Sequence, residues 1–355
     1  MTRNEPLVPF PLRGAIIGFG NAAVRTHLPA WSKSSHFRID AVLDSVPERL
    51  KLAREFLPGA RIYTEPENLF KDNSLDFVDI CTPPSFHGDL ILRACDAGLH
   101  VLCEKPLVTS MESLEEIERS TRKSKNVVFT VNNWKYAPLW IRVLELIHSM
   151  RLGILKSVFL SVLRPPEAGG GVSPWRKNAL LSGGGILLDH GWHYFYLILS
   201  MTGELPLSIS SRMRYTQEGD PPLEEEVDLT MRFRGVEAKL YLTWQASLRR
   251  NEGTIEGDGG TLLINDDHLI LRGRGLPDIR YDFPEALSAS SFHPEWMDSV
   301  IEDFHREILH EEIRGSNLNE ARQCARLTHL AYQSDRAARA SQKEPCFIPV
   351  GTLVI

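Results

Sequence analysis

A carboxylate and an imidazole, Asp189 and His193, stand four residues apart in the stretch GGGILLDHGWH at 183–193. On an α-helix that spacing puts both on one face, one turn apart. An imidazole beside a carboxylate is a proton-transfer group near neutral pH. The same pair would also suit a helix whose two polar residues only satisfy nearby backbone; two upstream motifs that need a proton-transfer partner favour the chemical reading. Lys105, in CEKP at 103–106, is the second candidate. A lysine there can hydrogen-bond a hydroxyl and stabilise negative charge developing on its oxygen. The third is GFGNAA at 18–23, whose glycines suit a phosphate-binding turn.

These residues need particular elements beneath them. RGAIIGF at 13–19 is a short apolar run, as a buried parallel strand should be. It leads into Gly18, Phe19, Gly20, Asn21, Ala22 and Ala23, then a helix through Trp31. Gly18 allows the tight turn, Gly20 lets backbone approach a pyrophosphate, and Ala23 keeps helix and strand close. The pyrophosphate charge would sit on the helix N-terminus. A second strand, FRIDAVL at 37–43, ends at Asp44. An acid about 20 residues past the glycines is where a ribose hydroxyl is gripped, so NAD is expected over NADP. Arg49 is the residue that could instead turn to a 2′-phosphate, which keeps NADP as the alternative. Further strands at 76–81 and 100–102 bring Thr82, Pro83 and Lys105 to the same rim, because strand ends carry the ligands in open α/β sheets.

Together these motifs resemble the Gfo/Idh/MocA family, the glucose–fructose oxidoreductase and inositol dehydrogenase group. The resemblance rests on GFGNAA, TPPSFH at 82–87, EKP at 104–106, NNWKYAP at 132–138 and GGGILLDHGWH, in that order. It implies an α/β chain: an N-terminal Rossmann domain, then a C-terminal α+β domain with a large, mostly antiparallel, open-faced sheet. It implies catalytic roles for Lys105, Asp189 and His193. It adds His87, Glu104, Asn133, Trp175 and Arg176 to the cofactor-binding set. Substrate contacts are expected from Lys105, Arg164, Trp175, Asp189 and His193, with Arg176 and His293 as further polyol-recognition residues. The family usually has arginine where this chain has Lys135, and a lysine cannot make the bidentate contact an arginine makes.

The implied activity is an NAD(P)-dependent oxidoreductase acting on the CH–OH of a sugar or cyclitol. Two rival readings are a non-catalytic dinucleotide-binding sensor and an enzyme that keeps NAD tightly bound and cycles it. An intact proton relay favours turnover over sensing.

Composition excludes other classes. At 355 residues the chain is long enough for two domains. It is 43% hydrophobic and 24% charged, which is ordinary for a globular protein. A net charge of −6 argues against a nucleic-acid partner. No apolar run suggests a membrane partner. The opening MTRNEPLVPFPL lacks a signal-peptide core. Five cysteines without metal-ligand spacing are expected as buried free thiols in the cytoplasm. His190 and His193 have no evident third ligand, and no metal is expected.

The expected division is an arm over 1–12, a Rossmann domain over 13–134 and a substrate and oligomerisation domain over 135–355. A proline- and glycine-rich stretch at 164–182 has the composition of an active-site loop. Val227, Leu229, Met231 and Phe233 alternate with polar residues, and Ala238, Leu240 and Leu242 do so after the turn at 234–235. That pattern predicts half-buried antiparallel strands. Their polar face is mixed in charge, which favours a homodimer or homotetramer built on the sheet.

Overall fold

The computed structural model describes residues 11–166, 174–217, 219–341 and 346–351. They divide into two compact units. The first holds the chain up to Leu107, 112–133 and 292–319; the second holds 108–111, 134–291 and the chain from Glu320 on.

The first unit is built on a six-stranded parallel sheet in the order β3-β2-β1-β4-β5-β6. The strands are β1 (Leu12–Ile17), β2 (Phe37–Leu43), β3 (Arg61–Tyr63), β4 (Phe77–Ile80), β5 (His100–Cys103) and β6 (Val128–Thr130). Ala15, Ile16 and Ile17 are buried, as a strand covered on both faces requires. Register carries the functional consequence. Ile17 pairs with Leu43 and with Ile80, Ile80 with Cys103, and Cys103 with Thr130. The strands therefore end level, and the loops leaving their C-terminal ends share one rim. The edge strand β6 is closed by a side chain. Asn317 accepts from the Thr130 N–H at 2.6 Å and donates back to its carbonyl at 3.1 Å. An amide thus takes the place of a further strand.

The second unit carries a nine-stranded sheet in the order β14-β13-β12-β11-β7-β10-β9-β8-β15. Its central members are β7 (Leu155–Leu163), β8 (Ser208–Tyr215), β9 (Glu224–Arg232), β10 (Glu237–Thr243) and β11 (Arg250–Gly257). The outer members are β12 (Gly260–Asn265), β13 (His268–Gly273), β14 (Ile279–Asp282) and β15 (Ile348–Pro349). All pairings are antiparallel except that of β7 with β10. Val227, Leu229 and Met231 oppose Leu242, Leu240 and Ala238, and all six are buried. The other face carries Glu226, whose carboxylate accepts from the Tyr241 hydroxyl at 3.0 Å and from Arg214 at 2.8 Å.

Among the helices, α1 (His87–Asp96) lies in the first unit and α2 (Pro138–His148) and α3 (Trp192–Thr202) in the second; α4 (Pro294–Leu309) and α5 (Ser316–Ser341) come later in the chain. The α3 helix is apolar all round and accordingly buried, from Trp192 through Ile198.

One boundary differs from the expected single cut after residue 134. The α4 helix joins the first unit, because Phe304 is buried against Phe37, Phe77 and Phe129 at ring distances of 5.6, 6.1 and 5.8 Å. An aromatic cluster decides membership where chain order suggests the other domain. The expected arm over 1–12 falls mainly outside the described residues, and Leu12 already belongs to β1. All five cysteines are free, but Cys81 is half-buried and Cys346 exposed, so the expected uniform burial does not hold. Among the described residues, no helix is long and apolar enough to cross a membrane.

Candidate active site

The rim of the first unit begins with the glycine loop. Gly18 has φ +89°, and a Cβ there would stand 3.0 Å from the Cys81 carbonyl carbon and the Thr82 nitrogen. Only glycine meets both the dihedral and the close approach. A Cβ built on Gly20 would meet nothing nearer than the Arg49 guanidinium carbon at 4.0 Å, so that side of the backbone is open to a ligand. The helix behind it opens on a π turn, Ala23–His27, and continues as Leu28–Trp31. Its leading N–H groups form the anion-binding end. Asp44 braces the loop. Its carboxylate accepts from the Phe19 N–H at 2.7 Å and the Val46 N–H at 2.8 Å. Arg49 lies 3.5 Å from the same carboxylate. Thr82 Oγ1, on the neighbouring strand end, is buried without a hydrogen-bond partner among the described residues. An open glycine backbone and an unused hydroxyl fit a dinucleotide.

Glu104, Lys105 and Pro106 leave the end of β5 on the same rim. The Glu104 N–H donates to the Ile80 carbonyl at 2.9 Å. The Glu104 carboxylate accepts from the Lys105 N–H at 3.1 Å and meets His27 Nε2 at 2.8 Å. Burial pushes this carboxyl up, but the hydrogen bond and charge of His27, with Lys105, bring it below its ordinary value. Glu104 was expected to face a cofactor; its side chain is committed to the turn and to His27 instead. His87 is corrected likewise. It is fully buried, with its ring nitrogens 2.8 Å from the Pro106 carbonyl and 2.9 Å from that of Thr82. It ties two rim loops together and presents nothing to a ligand.

The second unit holds GGGILLDHGWH. Gly185 is fixed by contact, since a Cβ there would lie 2.0 Å from the Glu224 carbonyl oxygen. Glu224, buried at the head of β9, accepts from the N–H groups of Gly185 and Leu187 at 2.7 and 3.1 Å and from the Tyr332 hydroxyl at 2.8 Å. Burial raises its carboxyl, against these donors. It caps a π turn, Leu187–Gly191, that runs into α3. The regular α spacing expected for Asp189 and His193 is therefore widened at Asp189. Asp189 is half-buried, 3.8 Å from Arg176 and 3.8 Å from His190. Arg176 also lies over the Trp175 ring at 4.5 Å. So Trp175, Arg176 and Asp189 do come together.

His193 is only 4% exposed. Its Nδ1 meets the Tyr196 hydroxyl at 2.8 Å, and its ring stacks on Trp134 at 4.9 Å. The Tyr196 oxygen also accepts from the Trp134 N–H at 3.1 Å. Burial holds this phenol well above its ordinary value, so it stays a neutral hydroxyl. Neither Tyr196 nor Trp134 is legible as an orienting group in the sequence. The signal that could have found Tyr196 was its place three residues beyond His193, one turn along the helix.

Two expected substrate residues are corrected. Arg164 is 2% exposed and spends its guanidinium on the carbonyls of Leu163 and Arg250 and on Asn251. Burial pulls it down to about 10. It pins the start of the 164–182 stretch to β11, and the middle of that stretch, 167–173, lies outside the described residues. His293 stands not on the sheet but at the head of α4 in the first unit, stacked on Trp296 at 3.6 Å. Asn133 opens a short 3₁₀ turn after β6, half-buried. Lys135 is 2.9 Å from Glu320, an ion pair within the second unit.

Residues 12–132 match the oxidoreductase family with an NAD-binding Rossmann fold, and residues 140–263 match the GFO/IDH/MocA C-terminal domain. The chain belongs to the Gfo/Idh/MocA family. D-glucoside 3-dehydrogenase of Escherichia coli K12 is 30% identical over 185 residues, a match spanning 52% of each chain. The chain therefore aligns with about half the length of that relative. Two solved structures share the fold. Levoglucosan dehydrogenase, in complex with NADH and levoglucosan, superimposes with a TM-score of 0.80 at 19% identity, over 96% of this chain and all of the other. The aldose–aldose oxidoreductase of Caulobacter crescentus gives 0.78 at 21% identity, over 95% and 99%. Membership accounts for the level strand ends of the first unit and the broad sheet of the second.

Proposed function

We propose that this Gfo/Idh/MocA protein is an NAD-dependent oxidoreductase acting on a carbinol or ketone carbon of a sugar, cyclitol or sugar derivative. The observation that carries the reading is Lys105 on the same strand-end rim as the glycine loop, Asp44 and Thr82. The names of the relatives favour turnover over sensing. The residues for the cofactor are Gly18, Phe19, Gly20, Asn21, Ala22 and Ala23 at the pyrophosphate and Asp44 at the adenosine ribose. Thr82, Pro83, Lys105 and Asn133 complete the set on the rim; Trp175 and Arg176, beside Asp189, are proposed as further cofactor contacts. Nicotinamide, when bound, supplies or accepts the hydride.

The chain's own groups handle charge and protons. Lys105 donates a hydrogen bond to the substrate oxygen and steadies its alkoxide character during oxidation. His193 exchanges the hydroxyl proton at Nε2, since Nδ1 is occupied by Tyr196. Asp189 supports the cationic form by its charge. NAD is preferred over NADP because the Asp44 carboxylate repels a 2′-phosphate and holds Arg49 beside itself. The mixed-charge outer face of the large sheet is proposed to pair with a second copy, giving a homodimer or homotetramer.

The test is a panel of sugars, inositols and nucleotide-sugars with NAD and NADP, read as reduced-nicotinamide absorbance. Turnover with a cyclic polyol and tighter NAD binding are expected. No turnover across the panel, with cofactor bound, would remove the oxidoreductase reading. A monomer mass by light scattering at micromolar protein would remove the oligomer.

A further inference from the structure

His27 is fully buried in the π turn behind the glycine loop, with a carboxylate at each side of its ring. Nδ1 lies 2.9 and 3.0 Å from the two Asp79 oxygens, and Nε2 lies 2.8 Å from Glu104. An ionised carboxylate only accepts, so each ring nitrogen must bring a hydrogen. Asp79 is an acceptor to other donors as well: the Trp31 indole N–H at 2.6 Å and the Cys81 thiol at 3.6 Å. Burial works most strongly against a charged ring, yet Asp79 and Cys81 together outweigh it and hold His27 well above its ordinary value. The titratable groups facing the ring are Asp79 and Cys81, from the end of β4, and Glu104, from the end of β5.

His27, Asp79 and Cys81 also have the chemistry of a metal cluster. Two observations argue for hydrogen bonding instead. The Trp31 N–H already occupies Asp79, and burial pushes the Cys81 thiol up to about 12, so the sulfur keeps its proton.

We propose that His27 is a positioning residue: as a doubly protonated ring it holds the Glu104 carboxylate, whose second oxygen accepts the Lys105 N–H, and so sets how Lys105 leaves the rim. The turn is then pinned at Glu104 N–H, at Lys105 N–H and, through His87, at the Pro106 carbonyl. Without the cation, two buried carboxylates would face each other across the gap it fills. Glu104, the less deeply buried of the two, must then swing toward solvent, and that movement releases the Lys105 amide. A buried ion pair adds little net stability once desolvation is counted; what it enforces is geometry. The catalytic meaning rests on the proposed role of Lys105, but the arrangement can be tested without turnover.

Nitrogen-15 NMR of histidine-labelled full-length protein should show one ring that keeps both N–H protons well above the ordinary value of about 6.5. That signal should be absent in His27→Gln. A ring titrating near the ordinary value would overturn the proposal. Hydrogen exchange on His27→Gln should speed the Lys105 amide at least about tenfold while β1 and β2 keep their protection. An unchanged Lys105 amide would overturn it equally. Should His27→Gln lose protection throughout, Glu104→Gln is the second variant: the His27 midpoint should fall by more than about one pH unit, and a midpoint that stays would count against the idea. If no sugar is turned over, the oxidoreductase reading fails while these measurements still decide His27.

Discussion

The two units each place a buried histidine at or just beyond a π turn, and they hold it by opposite chemistry. In the first, His27 lies between the Asp79 and Glu104 carboxylates. In the second, His193 is held by the Tyr196 hydroxyl and the Trp134 ring. Two carboxylates fix a ring as a cation, because neither can donate. A hydroxyl does not. It donates to Nδ1 when the ring is neutral and accepts from Nδ1–H when the ring is charged. One histidine is therefore locked in protonation state and suited to holding backbone. The other has a hydroxyl neighbour that accommodates either state, as the proton exchange proposed for it requires. The residue type is the same and both are buried; the partner decides the use.

The hardest blow to this contrast falls on the groups proposed to react. Lys105→Ala and His193→Ala should each lower turnover by about two to four orders of magnitude with cofactor still bound. Steady-state rates and a cofactor titration measure both halves of that statement, and unchanged turnover in the pair would end the mechanism. Tyr196→Phe should come next. It leaves Nδ1 of a buried ring without its hydroxyl, a loss of about 1–3 kcal/mol, or roughly 5–150-fold in kcat. If the rate and its pH profile match those of the unsubstituted protein, the hydroxyl is not what lets His193 change state.

Gly185→Ala probes how α3 is held. The added Cβ meets the Glu224 carbonyl at 2.0 Å, so backbone must shift, at a cost of about 1–3 kcal/mol in denaturant unfolding. Full stability would mean the Glu224 cap can move freely.

The smallest effect sharpens the first unit from within. His27 has a raised folded value, so its contribution to stability is complete below about pH 6.5 and is lost as pH rises through that folded value. His305 has the opposite sign. It stacks on His36 at 4.0 Å, and burial, with the charges of His36 and His310, lowers it to about 4. Its contribution is present above about pH 6.5 and falls away as pH drops toward 4. Melting temperatures across pH should therefore decline on both sides of neutrality. His305→Asn should flatten only the acid limb, and His27→Gln only the alkaline one. Exchanged limbs would reverse the assignment of the two rings.

The dinucleotide-binding part of the candidate site was legible in the residues themselves. GFGNAA after an apolar strand, with Asp44 at the end of the next, announces a dinucleotide turn because backbone geometry and helix charge demand those residue types locally. The alternation at Val227, Leu229 and Met231 announces a half-buried strand for the same reason: a period of two is a property of the chain, not of its partners.

Partner choice is another matter, and tertiary structure alone decided it. His27 reaches Asp79 and Glu104 across 52 and 77 residues of sequence, and nothing at position 27 announces either. His87 and Glu104 read as ligand residues by motif, yet packing turns them onto neighbouring loops. The α4 helix comes after all but the last strand of the second unit's sheet in the chain but belongs to the first unit, because Phe304 completes its aromatic core. The π turn at Leu187–Gly191 is likewise absent from any periodic pattern; it comes with Glu224 capping the helix from another strand. Local sequence sets period, turn and charge at each position. Burial then requires each polar group to find a partner, and only the folded chain determines which one lies within reach.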